Sequence, residues 1–166
     1  MTDKNVSIMN IGSMGYLPQV FKKIENEKKL NIVYLGGSIT MGCNATKTEL
    51  RYVDRSAKWW QTNFPDAEIS YFNAGIGATT SQFGVARVQE HVLDKQPDLV
   101  FVEFSVNDSS SPLFMETYES LVRRLLKAES VKAVVLINNL FYNTGTNAQG
   151  IHNAIGLHYD LPIVSV

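Results

Sequence analysis

The chain has a single cysteine, Cys43, so no intrachain disulfide can form and no cysteine-built zinc site is available. Charge is sparse and balanced. Charged residues make up 19% of the chain and the net charge is −1, which leaves no broad field for nucleic acid or an anionic membrane surface. There is no basic stripe and no RNA-type aromatic motif. No stretch approaches the ~20 consecutive apolar residues of a membrane span. The N-terminal MTDKNVSIMNIGSMGYLP lacks the charged-then-apolar order of a secretory signal. The default expectation is a cytoplasmic protein, although a piece of a longer secreted one would read the same. Repeats, low-complexity tracts and linkers are also missing. With 166 residues, 45% of them hydrophobic, one core can be built, and a single domain over 1–166 is expected.

What is present is a set of five short apolar runs: NIVYLG (31–36), ISYFNAG (69–75), DLVFVEFS (98–105), VKAVVLIN (131–138) and LPIVSV (161–166). Most do not alternate polar with apolar, which suits strands covered on both faces. Helical spacing separates them. Val53, Ala57, Trp60 and Phe64 share one helix face, and Phe114, Tyr118, Leu121, Val122 and Leu125 share another. A third face offers Phe83, Val88, Val92 and Leu93, with Ser81 as its N-cap. LPQVFKKIENEKK precedes the first strand, and the glycine-interrupted NAQGIHNAIGLHYD precedes the last. Trp59 and Trp60 cannot both face inward, so one is expected at the surface. The alternation predicts an α/β fold: a doubly wound, flavodoxin-like five-stranded parallel sheet.

In such sheets ligands bind beyond the carboxyl ends of the strands. Three segments lie there: GGSITMG with Ser38, NAGIGATTS with Asn73, Gly75 and Gly77, and SVNDSS with Asn107 and Asp108. A hydroxyl, a glycine turn and a carboxamide would converge at one edge. Acyl transfer needs that set: a nucleophile, and preorganised donors for the tetrahedral oxyanion. Each segment alone reads as a structural turn. Together, in order on successive strands, they read as a site. Cys43 could line the same loop or be an inert thiol. GGSITMG could instead cradle phosphate at a helix N-terminus, but no P-loop lysine accompanies it.

YLGGSIT, FNAGIGATTS and FVEFSVNDSS resemble the three leading blocks of the SGNH hydrolases, the GDSL-type esterases and lipases. The resemblance runs from about residue 30 to the end. It implies Ser38 as nucleophile and an oxyanion hole from Ser38, Gly77 or Ala78, and Asn107. The backbone N–H of Ala78 would serve if its φ is negative. Gly37 stands where the family often has aspartate. Gly37, Asn73, Glu103 and Asp108 are candidates for supporting the loops. Glu103 either positions the Ser38 and Asn107 loops or reaches solvent at the sheet edge. Asp108 either caps the helix starting near Pro112 or holds its own loop. Phe141 and Tyr142, in the long segment after the fourth run, either stack on substrate or cover the core. The implied substrate is a small-molecule ester, with a preference for acetylated carbohydrate. No cofactor or metal is implied, and no nucleic-acid or membrane partner.

The family's late Asp-x-x-His block, which supplies base and orienting acid, does not occur in these residues. Of the three histidines, His91 is expected far from the active edge, and His152 is the best substitute base. The alternatives are a chain truncated at its C-terminus, a base from another subunit, or a non-catalytic binding domain on the same fold. A missing final helix would leave one sheet face bare and favour self-association, hence a possible homo-oligomer.

Overall fold

The computed structural model describes residues 7–13, 15–141 and 143–166. Six strands form one sheet: β1 (Ile8–Asn10), β2 (Lys29–Gly36), β3 (Glu68–Gly75), β4 (Leu99–Glu103), β5 (Ala133–Asn138) and β6 (Ile163–Ser165). Their spatial order is β1-β6-β5-β4-β2-β3. Strands β2 to β6 run parallel to one another, in the flavodoxin-like order expected. The sixth strand corrects the count of five: β1 adds to β6 antiparallel, pairing Ile8 with Val164. At three residues, with Ile8 and Met9 exposed, it carries no buried pattern that would announce it.

Helices cover both faces: α1 (Leu17–Glu27), α2 (Ser38–Met41), α3 (Tyr52–Asn63), α4 (Ser81–His91), α5 (Pro112–Leu126) and α6 (Gln149–His158). One core packs α4, α5 and α6 on the sheet through Val88, Tyr118, Leu121, Val122, Leu125 and Ile155. The other packs α1 and α3 through Val20, Ile24, Val53 and Trp60. Trp60 is inside at 6% exposure and Trp59 is outside at 52%, dividing the pair as the helix period requires.

Three local readings need correction. β3 is an edge strand with Tyr71 and Phe72 exposed, so it is not covered on both faces. The N-cap of α4 is Thr80, with Ser81 the first helical residue. The inward face of α4 is Ser81, Gly84, Arg87 and Val88, while Phe83 is outside. Gly84 is needed because the Phe104 ring packs on it: a Cβ there would lie 2.8 Å from Cζ of Phe104. An apolar groove lined by Ile8, Ile11, Phe21, Trp59, Val135 and Val164 lies open beside β6.

Candidate active site

The carboxyl ends of β2, β3 and β4 are laced together by backbone bonds. Gly37 N–H donates to Glu103 O (3.3 Å), and Ile76 N–H donates to Gly36 O (3.1 Å). This brings the three sequence blocks to one edge. Ser38 opens α2, a single turn closed by Gly42 in the left-handed region (φ +99°). One turn is too short to present the N-terminal field that a phosphate cradle needs. A cleft of about 350 Å³ lies above, lined by Ser38, Cys43, Asn44, Asn107, Asn139 and Phe141, among others. Among the described residues no charged side chain lines it. Phe141 is 54% exposed and borders the cleft, which decides against a place in the core. Tyr142 lies outside the described residues.

Ser38 and Asn107 meet at Gly37. A Cβ on residue 37 would lie 2.7 Å from Oδ1 of Asn107 and 3.2 Å from the Thr79 carbonyl. Glycine there lets the carboxamide and the second-block turn close on the serine's own backbone. Oδ1 of Asn107 is buried without a partner. Asn107 lines the cleft, and its NH₂ makes no hydrogen bond among the described residues. The N–H groups of Ser38, Gly77 and Ala78 are likewise unspent among the described residues, whereas those of Gly75 and Ile76 are bonded to Asn73 and Gly36.

Gly77 and Ala78 do not line the cleft itself, and the space above Gly77 faces the Met41 side chain. Ala78 has φ +57°, not the negative value set as the condition for its N–H to serve; that N–H is nonetheless unspent among the described residues, so it stays a candidate donor beside Gly77. An L-residue in that region costs roughly 1–2 kcal/mol, strain of the kind that collects at functional turns.

The supporting residues sit beneath. Asn73 donates to Thr40 O (2.8 Å) and accepts from Gly75 N–H (2.9 Å), tying the glycine turn to α2. Glu103 is fully buried, so the solvent-reaching alternative falls. Thr40 Oγ1 lies 3.4 Å from Glu103 Oε2 and 2.9 Å from the Tyr52 hydroxyl, so Thr40 points into the core. Burial pushes the Glu103 carboxyl up to about 7, against Asn139, Thr40 and Ser105. Burial likewise raises Tyr52.

Asp108 does not cap the helix at Pro112, whose N-cap Ser111 has no side-chain bond. It caps α4 instead: Oδ1 accepts the Ser81 N–H (2.8 Å), and Oδ2 pairs with Nε2 of His152 (3.1 Å). His152 is fully buried and stacked on Tyr118, with ring centroids 3.6 Å apart. It is absent from the cleft, as are His91, bonded to Arg87, and exposed His158. Cys43 is exposed on the cleft wall. Among the described residues no group of three His, Cys, Asp or Glu could hold a metal, and no helix is long and apolar enough to cross a membrane.

Sequence reasoning missed Arg87. This helix residue is 6% exposed and donates from Nη1 to Ala74 O (2.8 Å) and from Nη2 to Gly36 O (3.1 Å). It thereby joins the strand ends before the serine and before the glycine turn. Its signal was position: three residues after Gly84 and one before Val88, on the inward face.

The GDSL-like Lipase/Acylhydrolase family matches residues 34–158. The chain belongs to that family. Comparison with solved structures finds the fold in a two-domain esterase active on acetylated mannans, at 49% identity and TM-score 0.93, over 96% of this chain and 43% of that one. The same esterase co-crystallised with mannopentaose gives 50% identity over the same shares, TM-score 0.93. This chain thus spans less than half the length of that protein. An acetylxylan esterase from Geobacillus stearothermophilus, a catalytic mutant, shares the fold at 18% identity and TM-score 0.68, over 81% of this chain and 74% of that one. Comparison with curated proteins gives no match. The family membership accounts for the three-block order and for the sheet that carries it.

Proposed function

We propose that this chain carries the nucleophile and oxyanion hole of an SGNH-type serine esterase acting on acetylated carbohydrate. Ser38 Oγ attacks the ester carbonyl and gives its proton to a base. The tetrahedral oxyanion is met by the N–H of Ser38, the N–H of Gly77 or Ala78, and the Asn107 carboxamide. Collapse expels the sugar hydroxyl with a proton and leaves acetyl-Ser38, which water then hydrolyses. The observation that carries this reading is the meeting of Ser38 and Asn107 across Gly37 at the cleft. The substrate class is supported by the mannan-active relative and by a lining that sets the carboxamides of Asn44, Asn107 and Asn139 and the Phe141 ring beside aliphatic side chains, which suits an uncharged sugar ester.

The base comes from outside these residues, because none of the histidines lines the cleft. The same observation favours a second reading, a non-catalytic binding domain on this fold. Hydrolysis of p-nitrophenyl acetate separates the two, measured with and without added imidazole beside Ser38→Ala. The esterase reading expects a Ser38-dependent rate that rises with imidazole. Equal rates for both proteins at every imidazole concentration would favour the binding domain.

A further inference from the structure

Asp108 and His152 are 44 residues apart in sequence, yet both side chains are fully buried and 3.1 Å apart. Three segments meet at this pair. The first is the turn after β4, in which Asp108 follows Asn107 directly. The second is the N-terminus of α4, whose Ser81 N–H is held by Oδ1 of Asp108 and which follows the Gly77–Ala78 turn by two residues. The third is α6, which starts at the cleft-wall segment; there Ala148 N–H donates to Ser105 O (2.7 Å). A buried carboxylate needs all its acceptor positions met, and these two donors come from the two elements that flank the Asn107 turn.

A carboxylate only accepts, so the His152 proton sits on Nε2. Nδ1 has no partner, and neither has the Tyr118 hydroxyl on the stacked ring. Burial holds the imidazole below its ordinary range, against the pull of Asp108, which keeps it a neutral donor. Neither residue lines the cleft.

We propose that the Asp108–His152 pair is a positioning device for Asn107: it locks the turn carrying the carboxamide to the N-terminus of α4 and to α6, and so fixes the spacing between the Asn107 amide and the N–H groups of the 77–78 turn. Its consequence for catalysis rests on the esterase reading, but the locking itself does not. Asp108 and His152 are positioning residues, since neither touches substrate.

The test is ¹⁵N NMR of the full 166-residue chain, with His152→Leu and His152→Gln beside the wild type. The wild type is expected to show a slowly exchanging imidazole N–H on His152 and a dispersed, sharp Asn107 side-chain amide pair. His152→Leu removes the donor. Its Asn107 amide pair should collapse toward the free-amide position, and exchange of the Ser81 N–H should accelerate about tenfold or more, as expected for loss of a charge-assisted bond. His152→Gln keeps a donor at similar reach and should restore both signals. Merely structural packing would cost stability in His152→Leu without moving the Asn107 signals at temperatures where the protein is folded. If His152→Leu does not fold, the wild type and His152→Gln decide. A rapidly exchanging ring N–H in the first, or free-amide Asn107 signals in a folded His152→Gln, overturns the proposal. These readouts need no turnover, so a chain without esterase activity would sink the functional reading and leave this one standing.

Discussion

The Arg87 guanidinium donates to the carbonyl of Gly36, 51 residues earlier and two before Ser38, and with its other arm to Ala74. Its charge is buried with no carboxylate partner among the described residues, and burial lowers its pKa from the ordinary arginine value. Replacing it by Met removes the charged donor from both carbonyls and leaves Gly36 O with the Ile76 N–H, at a cost of about 3 kcal/mol. For a chain of this size that is a fall of roughly 6–12 °C in Tm. Arg87→Lys keeps the charge but not the fork, and should fall between. Thermal unfolding checks the order. A Met variant as stable as the wild type would remove Arg87 from the framework.

Ala78 should yield to glycine. Relief of its left-handed backbone, roughly 1–2 kcal/mol, exceeds the added chain entropy of glycine, roughly 0.5–1 kcal/mol. Ala78→Gly is therefore expected to stabilise by about 0.5 kcal/mol, while Ala78→Val, branched at Cβ, should destabilise by more than ~1 kcal/mol. Urea midpoints of the two variants should move in opposite directions, and movement in one direction for both would contradict the φ of +57°.

A methyl group on residue 37 should act through Asn107. The Gly37→Ala Cβ would press on Oδ1 of Asn107 and displace the carboxamide. Ser38-dependent hydrolysis is expected to fall ~10²–10³-fold, the usual loss for one oxyanion donor, and Asn107→Ala should fall by a similar factor. The double variant should lose little more than either single one, because both remove the same group. Independent, multiplying losses would separate Gly37 from Asn107.

The buried Glu103 makes stability depend on pH in an unusual direction. Its carboxyl is raised from 4.5 to about 7 by burial, so the folded protein keeps a proton that the unfolded chain releases. Between these values stability falls as pH rises, by about 3 kcal/mol in total, and then levels off. Glu103→Gln removes that contribution. The difference between variant and wild type in urea unfolding should grow from pH 5 to pH 8. Comparing the two cancels His152, whose depressed pKa gives an opposite slope below 6.5. A constant difference across this range would contradict a neutral buried Glu103.

Much of this was legible in the sequence, for a physical reason. The strands β2, β4 and β5 are buried on both faces, so their apolar runs are unbroken. The rule that parallel strands share a ligand edge then placed Ser38, the glycine turn and Asn107 together. β1 was not legible because a three-residue, half-exposed strand leaves no pattern. The inward face of α4 was misread because Gly84 and Arg87 occupy it, one small to admit Phe104 and one charged to bind carbonyls. The Asp108–His152 pair joins residues distant in sequence, and only the packing of α6 against the β4 turn brings them into register.

The central claim is that Ser38 is an acyl acceptor in a working oxyanion hole. Mass spectrometry of the chain after exposure to p-nitrophenyl acetate tests it directly. With imidazole supplied as the base and the reaction quenched during turnover, the account predicts an acetyl group on Ser38 and none at that site in Ser38→Ala. Acetylation scattered over lysines, identical in both proteins and sparing Ser38, would contradict it.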